Sequence, residues 1–261
     1  MRIAGVGHAL FAATLIGLGL WGLVGGGFAP IWQPPPKGWP AREALAVLTA
    51  LVALGAGLGL TWRRTAAMAA GVLAAALLVW MLVFKVPAIF TAPGVAAAWE
   101  SCGETAVLAA AAWALFAADA GRLRLLAGET SAGLARRLYG LAMIAFGAAH
   151  LAYVKETAAL IPAWLPAHVA LVWLTGLAYI AAGLAILCGV LARLAAALSA
   201  LQMGLFTLLV WLPVVAGGHA GAGDVSEAVL SWALTAAGCV VADSYRGRPW
   251  LGVDWRAQNA G

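Results

Sequence analysis

The amino-acid sequence predicts an all-α membrane protein whose eight transmembrane helices form two parallel four-helix repeats. Hydrophobic residues make up 64% of the chain and charged residues 10%, whereas about 25% of the residues in a typical soluble domain are charged. Apolar segments of about 20 residues, the length needed to cross a bilayer as a helix, recur along the chain. Short motifs of the first half also return in the same order in the second half, which indicates a tandem duplication.

The predicted spans account for most of the 261 residues and leave little chain for a soluble domain. Ala, Leu and Gly dominate, and no alternation of polar and apolar residues suggests membrane strands. Because Arg2 precedes the first span, this span resembles a secretory signal. Its apolar run reaches Phe28 and its partner in the second half is internal, so we expect it to be retained. The spans are 4–28, 43–62, 65–87, 101–120, 137–154, 168–191, 194–213 and 225–243.

The internal repeat divides the chain into a first unit at 1–120, a linker at 121–136, a second unit at 137–246 and a tail at 247–261. Each unit has an even number of spans, so both insert with the same orientation and are related by a pseudo-twofold axis along the membrane normal. Glycines spaced four or seven residues apart predict close helix contacts: Gly22 with Gly26, Gly55 with Gly59, and Gly176 with Gly183. The paired motifs are 32–34 with 164–166, 64–67 with 193–196, 85–87 with 211–213, and 101–104 with 224–227.

The distribution of basic residues predicts the orientation in the membrane. Eleven of the 15 Lys and Arg residues fall on one side of the eight-span topology, which marks that side as cytoplasmic. We therefore expect a bacterial-type inner-membrane protein with both termini and the linker in the cytoplasm. The net charge of +5 indicates attraction to anionic lipid and not to nucleic acid. The eleven are Arg2, Arg63, Arg64, Arg122, Arg124, Arg136, Arg137, Arg193, Arg246, Arg248 and Arg256; the other four are Lys37, Arg42, Lys85 and Lys155.

Tryptophans in the outer loops admit two interpretations. Trp32 lies in a proline-rich loop, and Trp164 repeats its position in the second half. Rings at this depth commonly form an aromatic belt at the lipid headgroups. Alternatively, Trp32, Trp99 and Trp164 would line a vestibule that contacts a lipid-like ligand.

Three carboxylates and a lysine lie near the outer ends of spans, where ionisable groups are costly and usually have a function or a partner. Glu104 and Glu227 occupy corresponding positions, and Glu100 lies one turn before Glu104. Either they carry a proton or bind a ligand, or Glu104 and Glu227 complete capping boxes with the residues three positions before them. We expect Lys85 to extend to the outer interface, and the alternative is that it pairs with Glu100 or Glu104.

His150 lies inside an apolar span near its outer end, whereas His8 and His168 lie near the starts of theirs. Near Tyr153, His150 is either a buried histidine satisfied by a neighbour or a ligand-binding group such as a hydrogen-bond donor to a quinone. The other histidines lie at other depths, so bis-histidine haem ligation is not supported. The sequence has no C-x-x-C motif and no Glu-x-x-His pairs, and we expect no metal site.

Residues 146–213 resemble the DoxX-like membrane proteins, through the motifs at 147–150, 161–166, 174–177 and 183–187. Members of that family resemble a single four-helix unit, so this chain is similar to two fused units. The resemblance implies a link to quinone-dependent respiration or envelope redox stress. Its motif positions here are His150 and the corner at 164–166. Tyr179 occupies a place near which related sequences often carry an acidic residue, and this chain departs from the pattern there.

Three functional hypotheses follow. The first is an accessory or quinone-binding or lipid-binding component of a membrane redox system, with a partner subunit and without catalysis by the chain alone. The second is a small-molecule transporter or channel, and the third is a scaffold without a ligand. The candidate ligand-binding residues are His150, Tyr153, Glu104, Glu227, Glu100, Trp32 and Trp164. The first two hypotheses predict a cavity reached by Glu104, His150 or Glu227, and the third predicts a packed core.

Overall fold

The computed structural model describes residues 5–33, 35–36, 38–119 and 128–253. Within these ranges the chain is helical, and its only extended pairing is a single bridge between Val190 and Val253. Arg2, Lys37, Arg122, Arg124 and Arg256 lie outside the described residues, as do residues 121–127 of the predicted linker and 254–261 of the predicted tail. The helices are α1 (Val6–Gly25), α2 (Arg42–Leu60), α3 (Ala66–Trp80), α4 (Val86–Thr91), α5 (Ala96–Asp119), α6 (Glu129–Ala152), α7 (Val154–Leu160), α8 (His168–Cys188), α9 (Ala192–Phe206), α10 (Leu212–Ala216) and α11 (Ala222–Asp243).

Seven helical segments among the described residues are long and apolar enough to cross a membrane. An eighth arises if α6 and α7, which meet at a bend of 94°, count as one span. The chain is therefore a multi-pass integral membrane protein. α6 begins at Glu129, so residues 129–136, which we predicted to be linker, are helical instead.

Two spans contain a π-helical segment before a proline. The segments Met81–Lys85 and Thr207–Trp211 interrupt the spans that begin with α3 and α9. In each span, Pro87 or Pro213 is the second residue of the helix that follows. Proline has no N–H, and its ring clashes with the carbonyl one turn earlier. The wider π turn accommodates that proline without ending the span.

The long helices pack in a closed ring. In chain order α1, α2, α3, α5, α6, α8, α9 and α11 each contact the next, and α11 contacts α1. α5 and α11 also contact each other across the middle of the ring. The direction alternates between neighbours, so one end of the bundle, here called the acidic end, contains the starts of α5 and α11 and the end of α6.

The opposite, basic end is held by a buried arginine. Arg136, near the start of α6, donates from Nε to Ser244 Oγ at 3.0 Å, and its guanidinium lies 4.5 Å from the centre of the Tyr245 ring. Burial raises the pKa of Tyr245 to about 12, although Arg136 and Arg248 act in the opposite direction. Arg193 stacks over Trp250 at 4.0 Å. These contacts fix the chain after α11 against the starts of α6 and α9.

Glycines bring neighbouring helices into close contact at α1–α2 and α6–α8. A Cβ at Gly183 would lie 2.5 Å from the Gly140 carbonyl oxygen, and one at Gly57 would lie 2.7 Å from the Ile16 nitrogen. The predicted contacts at Gly22, Gly59, Gly176 and Gly183 are confirmed. Those at Gly26 and Gly55 are wrong, because a Cβ there would meet no atom within 4 Å.

We predict that Gly183→Ala lowers stability and that Gly55→Ala does not. The added methyl group at Gly183 would overpack the α6–α8 contact, at a typical cost of about 1–3 kcal/mol. At Gly55 there is open space, and alanine has the better helix propensity. Thermal unfolding in detergent micelles measures both variants. Equal melting temperatures for the two would contradict the close contact.

Candidate functional site

A hydrogen-bonded network lies inside the bundle at the acidic end and consists of Gln33, Lys85, Ser101 and Glu104. Lys85 Nζ donates to Gln33 Oε1 and, at 2.9 Å, to Ser101 Oγ. Ser101 Oγ donates to Gln33 Oε1, and Gln33 Nε2 donates to Glu104 Oε2. Lys85 is only 8% exposed. The amide of Gln33 thus connects a buried ammonium group to a carboxylate through one side chain.

The loop between α1 and α2 places Gln33 in this network. Its 3-10 turn, Pro30–Trp32, inserts Ile31 and Trp32 into the core, where Trp32 is 1% exposed. Trp80 Nε1 donates to the Trp32 carbonyl oxygen at 2.6 Å, and the two rings meet edge to face at 5.3 Å. Gln33 itself has φ 43°, a left-handed conformation that costs a non-glycine residue about 1–2 kcal/mol. The hydrogen bonds of its side chain offset that cost.

Two sequence predictions at this end are wrong. Lys85 does not extend to the interface, because Gln33 and Ser101 give its ammonium group buried partners. Trp32 does not belong to a belt at the headgroups, because it packs on Trp80 inside the bundle.

The capping boxes predicted for Glu104 and Glu227 are also wrong. α5 begins at Ala96, so Glu104 lies well inside the helix. α11 begins at Ala222, and there Asp224 accepts the N–H of Gly221 at 2.9 Å. Both helices start earlier than expected because alanine and glycine before the acidic residues continue the helix. Neither glutamate is used as a cap.

A cavity of about 170 Å³ opens beside the network, between α5, α6, α8, α9 and α11. Glu100, Glu104, Glu227 and His150 all line it. Glu104 therefore belongs both to the network and to the cavity. It accepts a hydrogen bond from Gln33, and it lines the cavity together with the two other carboxylates. Most of the remaining lining is apolar, with aromatic rings from α6, α8, α9 and the π-helical segment after α9: Phe146, Tyr179, Phe206 and Trp211.

The orientation of His150 is set by its own helix and by two rings. His150 Nδ1 lies 2.9 Å from the Phe146 carbonyl oxygen, and a carbonyl accepts only, so Nδ1 carries a proton. In the neutral imidazole, Nε2 is then a hydrogen-bond acceptor. The rings of Tyr179 and Phe206 each meet the imidazole edge to face, with centroids 5.5 Å away.

Carboxyl groups are concentrated in the cavity. Glu100 and Glu227 lie close enough to interact electrostatically, and both interact with Glu104. Within the described part of the chain, none of the three forms an ion pair within 4 Å. Hydrogen bonds link Lys85 to Glu104 through Gln33. Groups of three or more His, Cys, Asp or Glu able to hold a metal ion do not occur among the described residues.

The structure brings four of the seven predicted site residues together: Glu100, Glu104, His150 and Glu227. The other three do not line this cavity. Trp32 is in the core of the first half, and Trp164 is 70% exposed. Tyr153 lies at the bend between α6 and α7, where its hydroxyl accepts the N–H of Ala97 at 3.3 Å.

Sequence reasoning missed Gln33, although a signal for it exists. The motifs at 32–34 and 164–166 differ at one central position, where Gln33 corresponds to Leu165, and Lys85 likewise corresponds to Trp211. Both polar residues are present in the same half and absent from the other. Such a paired difference is expected of two side chains that contact each other.

Comparison with known protein-family models, with curated proteins and with solved structures finds no match to this chain. The similarity to the DoxX-like family therefore remains a prediction that depends on the motifs of the second half.

We predict that Lys85→Met lowers stability by about 3–5 kcal/mol, because it leaves the Glu104 side of a buried charge network uncompensated. Adding Glu104→Gln should restore part of this loss. Lys155→Met, at an exposed lysine of the same end, is the matched control and should change stability by less than about 0.5 kcal/mol. Thermal unfolding of the four proteins measures the effect. A double variant no more stable than Lys85→Met alone would contradict the coupling.

Proposed function

We propose that this protein binds a small molecule inside the membrane, and that the ligand carries a positively charged or hydrogen-bond-donating group on an apolar body. The observation that carries the proposal is the cavity lined by Glu100, Glu104, His150 and Glu227. A scaffold without a ligand would be expected to fill this space with side chains and to keep these residues at the rim.

The polar groups of the cavity favour a donor over an acceptor. An ionised carboxylate only accepts hydrogen bonds, and His150 Nε2 accepts in the neutral ring. Three carboxylates around one cavity repel an anion and each other, and a cationic ligand relieves that repulsion. An amine or a hydroxyl-bearing ring therefore fits the site better than an anion or a simple carbonyl compound.

The apolar walls favour a ring-sized body. A cavity of about 150 Å³ is large enough to hold a benzene-sized molecule, and this cavity has about 170 Å³. The rings of Phe146, Tyr179 and Phe206 line the cavity, and the face of an aromatic ring attracts an organic cation.

The predicted tandem duplication is supported by the arrangement of the helices. The spans that begin with α3 and α9 have the same sequence of elements: a helix of 15 residues, a π-helical segment of 5 residues and a proline at the second position of the next helix. In the closed ring, α1–α2 corresponds to α6–α8 and α3–α5 corresponds to α9–α11. We propose a pseudo-twofold axis between α5 and α11, and a cytoplasmic position for the basic end.

In a DoxX-like setting, the protein would be an accessory component of a redox system in a bacterial-type inner membrane, with a partner subunit. A quinone was the expected ligand. Because the cavity offers acceptors, it is the reduced quinol, with two hydroxyl donors, that would bind. The second candidate function is transport of a small organic cation. It is favoured by the three carboxylates, which form no ion pair with any residue that the structure describes.

We predict that the purified protein binds phenylethylammonium and the quinol durohydroquinone, and binds phenylacetate and duroquinone at least about tenfold more weakly. Each pair keeps the ring and changes the donor or the charge. The Glu104→Gln, Glu227→Gln double variant should lose at least about tenfold in affinity for the preferred ligand, equal to about 1.4 kcal/mol. Isothermal titration calorimetry in nanodiscs measures the four affinities.

Glu156→Gln is the matched control, because Glu156 is an exposed carboxylate on α7 at the same end. Preferential binding of the ammonium compound would support transport of an organic cation, and preferential binding of the quinol would support the redox role. Binding of phenylacetate as tight as that of phenylethylammonium, together with an unchanged double variant, would overturn the proposal.

A further inference from the structure

The cavity lined by Glu100, Glu104, His150 and Glu227 is here called the acidic cavity. A second cavity, of about 260 Å³, adjoins it. The two share four lining residues: Thr157, Ile161, Phe206 and Val210. The second cavity extends from these shared residues between α8 and α9, where Leu171 and Leu205 form facing walls. A polar space and an apolar space therefore meet at one common wall.

Two polar side chains of the second cavity, Thr175 and Gln202, are hydrogen-bonded to helix carbonyl groups. Thr175 Oγ1 donates to the Leu171 carbonyl oxygen at 2.9 Å, and Gln202 Nε2 donates to the Thr175 carbonyl oxygen at 3.0 Å. Apart from Thr157, the rest of the lining is apolar, from Leu171, Val172, Leu205 and Leu209 among others. Leu205 is also 45% exposed on the outside of the bundle. This cavity is thus an apolar groove that opens toward the lipid.

The two halves differ in what the loop after their first long helix does. In the first half, Ile31 and Trp32 enter the bundle and are buried. In the second half, α7 contributes no buried residue and Trp164 stays exposed. Thr157 and Ile161, at α7 and just after it, instead border both cavities. Space that the first half fills with its own chain is left open in the second.

We propose that the two cavities hold one amphipathic ligand, with its donor or cationic head group in the acidic cavity and an alkyl or prenyl chain in the groove between α8 and α9. The chain belongs there because the groove is continuous with the head-group cavity, has hydrocarbon walls and opens to the bilayer. Such a ligand enters sideways from the membrane. The inference rests on the proposed function, because the chain site requires a head-group site beside it.

The test uses benzylammonium as the head group alone and para-octylbenzylammonium as the head group with a chain, both titrated into the protein in nanodiscs. Leu205→Trp places a bulky ring in the groove. It should weaken binding of the octyl compound at least about tenfold relative to the unsubstituted protein and leave binding of benzylammonium unchanged. Each comparison is between two proteins with the same ligand, so the partition of that ligand into the bilayer affects both affinities equally.

Val79→Trp is the matched control. Val79 precedes its π-helical segment by two residues, as Leu205 does, and is 59% exposed. It should leave both affinities unchanged. Retained binding of benzylammonium by Leu205→Trp shows that this variant is folded. If Leu205→Trp fails to fold, a photolabelling experiment on the unsubstituted protein takes its place. The label is para-octylbenzylammonium with a diazirine at the end of its chain, and we expect its adducts on α8 and α9.

The outcomes separate the two proposals. If the unsubstituted protein binds neither benzylammonium nor durohydroquinone, the proposed function fails. If it binds only the quinol, durohydroquinone and a quinol that carries an octyl chain replace the two ammonium compounds. If the head group binds, but Leu205→Trp affects neither ligand or affects both equally, the head-group site stands and the chain site is overturned. Adducts spread over all lipid-facing helices would likewise overturn it.

Discussion

A lysine inside a membrane span needs partners, because the bilayer core provides no water to solvate its charge. In this protein Lys85 donates hydrogen bonds to Gln33 and Ser101, and Gln33 in turn donates a hydrogen bond to Glu104. For Gln33 to reach Lys85, the loop after α1 has to fold into the bundle and carry Trp32 with it. The shape of the first half at the acidic end therefore follows from one buried charge.

The second half lacks this requirement, and its interior differs accordingly. Trp211 stands at the end of the π-helical segment where the first half has Lys85, and no loop residue is drawn inward to satisfy it. The space that remains is bordered by Glu227 from α11 and by Glu100 and Glu104 from α5. Since α5 belongs to the first half and α11 to the second, residues from both halves line the acidic cavity. A buried network in one half thus supplies one wall of a cavity in the other.

Much of the fold was predictable from the sequence, because apolar length and composition determine which segments cross a membrane. The ends of the helices were harder to predict. Alanines extend α5 back to Ala96, and Glu104 therefore lies inside the helix and not at its cap. Of the site, the carboxylates and His150 could be found as rare ionisable groups in spans. The roles of Gln33 and Trp32 could not, because a proline-rich loop gives no periodicity that shows which of its side chains turn inward.

The central claim is that α5 and α11, from opposite halves, place Glu100 and Glu227 on one cavity. The test uses a chain in which Cys102, Cys188 and Cys239 are replaced by alanine and a protease site is placed in the predicted linker. In this background, a short bifunctional thiol reagent should join the cysteines of the Glu100→Cys, Glu227→Cys double variant. The two halves would then stay together after cleavage. Thr14→Cys with Trp232→Cys, whose native side chains are hydrogen-bonded at 2.9 Å between α1 and α11, is the positive control. Halves that separate for the first pair and remain joined for the control would contradict the account.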